Sequence, residues 1–226
     1  MADEILKPAA ASPTDGRLDQ FASLHDWRRQ VANLYADIRS LPPREGWEHW
    51  RATRDKLFRQ HVQSPLAPER RADFRGIACF PYDPKLRFDV RLRGVGDRDA
   101  LEIQLGKDEA VRLIPFALTD GLGSELGQEL TLYWITGYGG GVFLPFGDRT
   151  NGDETYAAGR YLLDTIKSAD LGKADDGRLI LDFNFAYYPS CAHSDAWTCP
   201  LSPIENRLPT PIRGGERNAP SPGEFG

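Results

Sequence analysis

Leu86-Arg87-Phe88-Asp89-Val90-Arg91-Leu92-Arg93 alternates an apolar side chain with a charged one at every step. A period of two sends the two sets to opposite faces of an extended chain, so the stretch predicts a half-buried strand. Its charged set also guards a sheet edge against further pairing. Downstream, Leu101, Ile103 and Leu105 alternate with Glu102 and Gln104, and Val111–Leu118, Leu130–Ile135 and Val142–Phe146 are short β-prone runs. Gly94-Val-Gly-Asp97, Gly106-Lys-Asp108, Asp120-Gly-Leu-Gly123 and Gly137-Tyr-Gly-Gly-Gly141 separate them. Strands this closely spaced, without helices between them, predict antiparallel meanders rather than strand–helix–strand units. Two later strands are expected at Arg160–Ile166 and Arg178–Tyr187, for roughly eight in all.

Upstream of the strands the period changes. Leu18, Phe21, Leu24, Val31, Leu34, Ile38 and Leu41 recur at three-, four- and seven-residue steps, one apolar stripe on a helix. Asp15 is placed to cap it, and Pro42-Pro43 ends it. A second helix is expected from Arg44 to about His61, with Trp47, Trp50, Leu57 and His61 on one face, stopped by Ser64-Pro65. Pro68–Phe74 adds a short turn. Both long helices are expected to pack on the sheet. Seven of the 17 prolines lie from Pro189 onward, which predicts a stiff, extended segment wrapping over the sheet. The fold class is therefore α+β. A helical hairpin over residues 15–62 precedes an antiparallel β roll, barrel or sandwich over 74–188. A proline-rich wrap over 189–216 completes a single domain. Residues 1–14 and 217–226 are expected to be disordered.

With 226 residues, 40% hydrophobic and 27% charged, the chain is long enough for one sizeable core. A net charge of −5 and a pI near 5.4 argue against a general nucleic-acid binder, apart from a small basic patch at Arg70, Arg71 and Arg75. No apolar run approaches the ~20 residues that span a bilayer. The N-terminus lacks a basic region followed by an apolar one, so a cytoplasmic setting with reduced thiols is expected. Three cysteines do not make a disulfide framework.

The densest polar runs come late. Phe146-Gly-Asp-Arg-Thr-Asn-Gly-Asp-Glu-Thr-Tyr-Ala-Ala-Gly-Arg-Tyr-Leu162, Leu181-Asp-Phe-Asn-Phe-Ala-Tyr187 and Cys199-Pro-Leu-Ser-Pro-Ile-Glu-Asn-Arg-Leu-Pro209 resemble the signatures of the bacterial and archaeal domain-of-unknown-function family 1684. Ser64-Pro-Leu66, Phe74-Arg-Gly-Ile77 and Phe80-Pro-Tyr-Asp-Pro84 fit the same pattern. The resemblance covers roughly Leu24 to Glu216. It implies one domain and brings no activity with it.

The residues themselves nominate a site. In a strand over 178–187, Leu179, Leu181, Phe183 and Phe185 face the core, and Asp182 and Asn184 share the other face about 7 Å apart. Arg160, following Gly159, is a guanidinium able to clamp a carboxylate or phosphate, or to pair with Asp148 or Asp182. Asp148-Arg-Thr-Asn-Gly-Asp-Glu-Thr155 is a turn, with Thr150, Asp153 and Thr155 expected on backbone amides and the Tyr156 hydroxyl near Arg160. Glu205-Asn206-Arg207 is a polar triplet fixed between Pro203 and Pro209. Three readings stay open. The first is a pocket for a small polar or anionic ligand, built from Asp148, Tyr156, Arg160, Asp182, Asn184, Glu205 and Asn206. The second is a hydrolase whose paired carboxylates come from Asp148, Glu154, Asp182 or Glu205, with Asp182 and Glu205 the catalytic candidates. The third is a structural or interaction protein in which these motifs only fasten the wrap.

No cofactor motif emerges. Cys191, His193 and Cys199 lack a common zinc spacing and a fourth ligand, so no metal is expected; a Cys191–Cys199 disulfide and two separate thiols both remain open. Ser190-Cys191-Ala192-His193 lacks the glycines of a nucleophile elbow. The Gly137–Gly141 run has no following Lys-Ser/Thr and reads as a hairpin tip rather than a phosphate loop.

Overall fold

The computed structural model of the chain describes residues 13–105, 109–195 and 197–219. The expectations for residues 1–12, 220–226 and the turn at 106–108 lie outside the described residues. Two long helices come first, α1 (Pro13–Ser40) and α2 (Pro43–Gln60), followed by the single turn α3 (Pro68–Arg71). The strands are β1 (Arg87–Gly94), β2 (Leu101–Leu105), β3 (Glu109–Asp120), β4 (Thr131–Ile135), β5 (Gly141–Phe146), β6 (Arg160–Asp164) and β7 (Leu179–Asp182), with a short helix α4 (Gly123–Leu126) between β3 and β4. No described helix is long and apolar enough to cross a membrane.

All the strand pairs are antiparallel, in the order β6-β5-β4-β3-β1-β7, with β2 on the first half of β3. The two ends of that order meet. Tyr161 in β6 exchanges backbone hydrogen bonds of 2.9 and 3.0 Å with Tyr187, just beyond β7. The sheet is a nearly closed barrel. β3 pairs with β2 along its first half, with β1 along its second and with β4 on its other edge, and its register with β4 shifts after Pro115; the β5–β6 register shifts at Pro145. Proline has no N–H for a ladder, so both prolines stand where the pairing is already irregular.

Period two governs the core. Leu132, Leu144, Leu162 and Leu181 join one buried cluster with Phe146, Phe183, Leu208 and Ile212. Their chain neighbours Tyr133, Phe143 and Tyr161 join a second cluster, on which Leu34, Tyr35, Ile38, Trp47 and Trp50 of the helical hairpin pack. Trp50 is wholly buried, edge-on to Phe185, and its indole N–H donates to the Tyr35 hydroxyl at 3.1 Å. Trp47, Trp50 and Leu57 thus sit inward as the α2 pattern predicts, while Leu18 and Phe21 do not. The first turns of α1 run past the packed surface and leave them 69% and 63% exposed.

Three strand expectations change. The described residues hold seven strands. Leu92 is exposed, because the buried face of β1 ends at Val90. β7 stops at Asp182, where the Asp182 side chain accepts from the Asn184 N–H and turns residues 183–185 into a 3-10 turn. A side chain that bonds the backbone two residues on competes with the ladder.

The last segment lies along the barrel as the proline pattern predicts. Gly147 pairs with Asn206 and Leu208, Gly215 with Phe80, Glu216 with Ala186, and Arg217 with Ala78. Two residues past Glu216, the Asn218 side chain is bonded by the Tyr188 hydroxyl and bonds the Asp153 carbonyl. Gly215 has φ +75°, and a Cβ there would lie 2.3 Å from the Ala186 carbonyl oxygen, so this crossing requires glycine.

Candidate functional site

Arg160 opens β6 directly after Gly159, whose φ is +93° and whose hydrogen faces the Phe146 carbonyl. The guanidinium lies over the Phe146 ring and is wholly buried. Nη2 donates to Asp148 Oδ2 at 2.8 Å and to the Ile212 carbonyl at 2.7 Å. Nη1 donates to the carbonyls of Gly214 and Glu216, the latter at 3.2 Å. Those three carbonyls belong to every second residue of the wrap from Ile212 to Glu216. Nε is left without a partner. Asp148 is equally engaged: Oδ1 accepts from the Thr150 N–H and hydroxyl and from the Ile212 N–H at 3.1 Å. Thr150 and Thr155 bond each other, and Asn151 bonds Asp148, Thr155 and Tyr156. The expected turn is therefore a closed network of its own side chains.

Asn206 and Asn184 act alike at two other places. Asn206 Oδ1 accepts from the Thr131 N–H, and its Nδ2 donates to the carbonyls of Thr131 and Pro145, all at 2.8 Å. The β4–β5 register, Tyr133 to Phe143 and Ile135 to Gly141, continues to Thr131 opposite Pro145. A carboxamide stands there in place of the direct strand pairing. Asn184 likewise bonds both the N–H and the carbonyl of Asp83, at 2.9 and 2.8 Å.

Asp182 differs from the rest. It is wholly buried; Oδ1 accepts two bonds from Asn184, and Oδ2 accepts none. The nearest charge is the Arg87 guanidinium at 3.8 Å, its register partner in β1. Burial pushes the carboxyl up to about 6, against the pull of Asn184 and Arg87. Asp182 and Asn184 therefore do not present an open polar face, as a continuous strand predicts, but line the inside of a turn.

The remaining candidates are dispersed. Tyr156 does not approach Arg160 through its hydroxyl, which lies 3.8 Å from Cys191 Sγ. Glu154 is held by Arg213 through a two-pronged ion pair at 2.8 Å. Glu205 is exposed and accepts from the Tyr133 hydroxyl at 2.8 Å. The structure brings Asp148 and Arg160 together, and Asp182 and Asn184 together. No hydrogen bond or ion pair between described residues links those two pairs to each other, or joins two of the carboxylates Asp148, Glu154, Asp182 and Glu205. No cluster of three metal-ligating side chains occurs among the described residues.

A second charged centre escapes the sequence reading. Glu216 is wholly buried beneath α2, paired with Arg54 and accepting from the Tyr188 N–H at 2.8 Å. Arg54 lies against the rings of Trp50, Phe58 and Tyr187. His193 Nε2 stands 3.9 Å from Glu216, and burial lowers the imidazole below its usual range. Glu216 precedes a stretch with the composition of a tail, and Arg54 sits among other charges on a helix, so neither carries a local signal of burial.

Residues 72–217 match the model of the family described as "Protein of unknown function (DUF1684)". The chain belongs to that family. The DUF1684 match takes in all three late signatures and every candidate residue, while Arg54 and the helical hairpin precede it. Among solved structures, the chain is similar to the solution NMR structure of an uncharacterized protein of Haloarcula marismortui. The two share 34% identity over 77% of this chain and 95% of that one, with a TM-score of 0.51. No curated protein matches it.

Proposed function

We propose that the signature residues of this DUF1684 domain form an internal clamp, and that the domain works as a non-catalytic scaffold carrying its own C-terminal segment as a built-in strand. One observation carries the reading: every Nη–H of Arg160 ends on Asp148 or on the carbonyls of Ile212, Gly214 and Glu216. An anion at Arg160 would have to displace those buried acceptors, each left unpaired at a cost of about 1–3 kcal/mol. The fastened wrap turns Trp197, Leu201 and Ile204 outward, apolar side chains on which a partner protein can pack. The separate engagement of Asp148, Glu154, Asp182 and Glu205 gives paired-carboxylate hydrolysis no support. A thermal-shift panel of phosphates and carboxylates tests the clamp. No saturable rise in Tm is expected. A rise accompanied by NMR shifts centred on Arg160 and Ile212–Glu216 would overturn it.

The Asp182 oxygen that accepts no hydrogen bond favours a second reading, a small polar ligand bound there. A carboxylate oxygen only accepts, so this ligand donates a hydrogen bond or carries positive charge. A panel of small amines, guanidines and divalent cations tests it. A Tm rise in the wild type that disappears in Asp182→Asn supports the site, and a flat panel removes it.

A further inference from the structure

We infer that Cys191 and Cys199 are a redox modification site, a dithiol that a small-molecule disulfide of the glutathione type converts to an intramolecular disulfide, stapling the loop between Ser190 and Pro200. All three cysteines carry free thiols in this structure. Cys191 lies in a 3-10 turn over Ser190–Ala192, and Cys199 directly precedes Pro200. The Cys191 N–H donates to Cys199 Sγ at 3.4 Å, which sets the second thiol against the backbone that carries the first. Both are partly exposed, so a small disulfide can reach them. The protein side of the pair is walled by Tyr156, 3.8 Å from Cys191 Sγ, and by Tyr161, whose hydroxyl donates to the Pro200 carbonyl at 2.6 Å. The third cysteine stands apart. Cys79 pairs with Glu216 in an isolated bridge under α2, and burial pushes its thiol up to about 12, which makes it a poor nucleophile.

The chemistry balances with one oxidant. Cys191 gives its proton to solvent, and its thiolate attacks one sulfur of the small disulfide. An S–S bond forms to Cys191, and one thiolate leaves and takes up a proton. Cys199, deprotonated in turn, attacks the Cys191 sulfur, and the second small thiol departs. Two protein thiols are oxidised, and one disulfide is reduced to two thiols. Burial and the neighbouring Cys199 raise the Cys191 thiol above its ordinary range, so exchange quickens as the pH becomes alkaline. The loop carries His193, which packs edge-on against Phe58 of α2 at 5.0 Å and whose carbonyl accepts from Arg70 at 3.2 Å. Closing the disulfide therefore secures the seam between the helical hairpin and the wrap.

The test equilibrates the full chain in glutathione buffers of increasing oxidised fraction, quenches with an alkylating reagent and measures intact and peptide masses. The expected product is lighter by two hydrogens, carries a Cys191–Cys199 cross-link and melts about 5–10 °C higher than the reduced chain. C79S is expected to keep all three properties. C191S and C199S should each lose the cross-link and the Tm rise while remaining folded in reducing buffer, since both thiols are partly exposed. Full alkylation of both cysteines at every buffer ratio would overturn the inference. So would a glutathione adduct on Cys191 that accumulates without cross-linking to Cys199.

Discussion

A guanidinium stripped of water is tolerated only where its donors and charge are met together. Arg160 meets three carbonyls and one carboxylate, and removing it strands all of them. Arg160→Met is therefore expected to cost about 3–5 kcal/mol in urea unfolding. Combined with Asp148→Asn, which removes the stranded charge, the loss should fall short of the sum of the single losses by about 1–3 kcal/mol. Strict additivity would mean that the two groups are not a unit. Asp182 makes the opposite kind of statement, because its second oxygen accepts no hydrogen bond and its nearest charge, Arg87, stands off at 3.8 Å. Its folded value of about 6 lies above the ordinary 3.8, so the folded state holds this proton more tightly than the unfolded chain does. Its contribution is fully present below about pH 4, declines as the pH rises, and is lost above about pH 6. The stability of the wild type relative to Asp182→Asn should fall by about 3 kcal/mol between pH 4 and pH 7. The lowered His193 acts in the other direction, losing stability as pH falls below its usual range, but it is common to both proteins and cancels. A relative stability that does not change with pH would remove the raised carboxyl.

β4 and β5 pair directly only from Tyr133–Phe143 to Ile135–Gly141, and beyond that the Asn206 side chain stands between Thr131 and Pro145. Asn206→Asp keeps the size and the acceptor but loses both N–H donors, leaving two buried carbonyls facing a carboxylate. A loss of about 2–5 kcal/mol is expected in urea unfolding, with faster amide exchange at the Thr131 end of β4. Unchanged exchange there would mean that the carboxamide is dispensable to the pairing. At this scale the sequence reads well where one face is buried. Alternation located the strands, and Pro42-Pro43 and Ser64-Pro65 bounded the two helices. It failed where a side chain captures its own backbone. The alternation of Leu181-Asp-Phe-Asn-Phe185 continues past the end of β7, yet the Asp182–Asn184 bond breaks the strand. Aspartate two residues before an amide is a known turn-former, so that signal was available. The partners of Arg160 were not legible in the same way. Three of its four are main-chain carbonyls, which no residue type in the sequence identifies.

The family match begins at residue 72, but the packing against the barrel begins earlier. α1 and α2 supply Leu34, Tyr35, Ile38, Trp47 and Trp50 to the cluster that covers Tyr133, Phe143, Tyr161 and Tyr187. Arg54 adds the partner of Glu216, a carboxylate at the end of the wrap with no exposure to water. Without the hairpin, the barrel would present one apolar flank to solvent and hold an unpaired buried charge. Either defect is large beside the 5–15 kcal/mol that separates folded from unfolded domains. The same seam joins an early and a late part of the chain, since Arg54 comes from α2 and Glu216 from the wrap. A chain reduced to residues 62–226 is therefore expected to show no cooperative thermal transition and a collapsed amide NMR spectrum. Arg54→Met in the full chain separates the charge from the packing. It should leave the barrel folded but less stable by about 3–5 kcal/mol, the cost of stranding Glu216. Adding Glu216→Gln to that variant should recover part of the loss. A 62–226 fragment that melts cooperatively, with dispersed amides, would show instead that the barrel and wrap stand alone and that the hairpin is an appended arm.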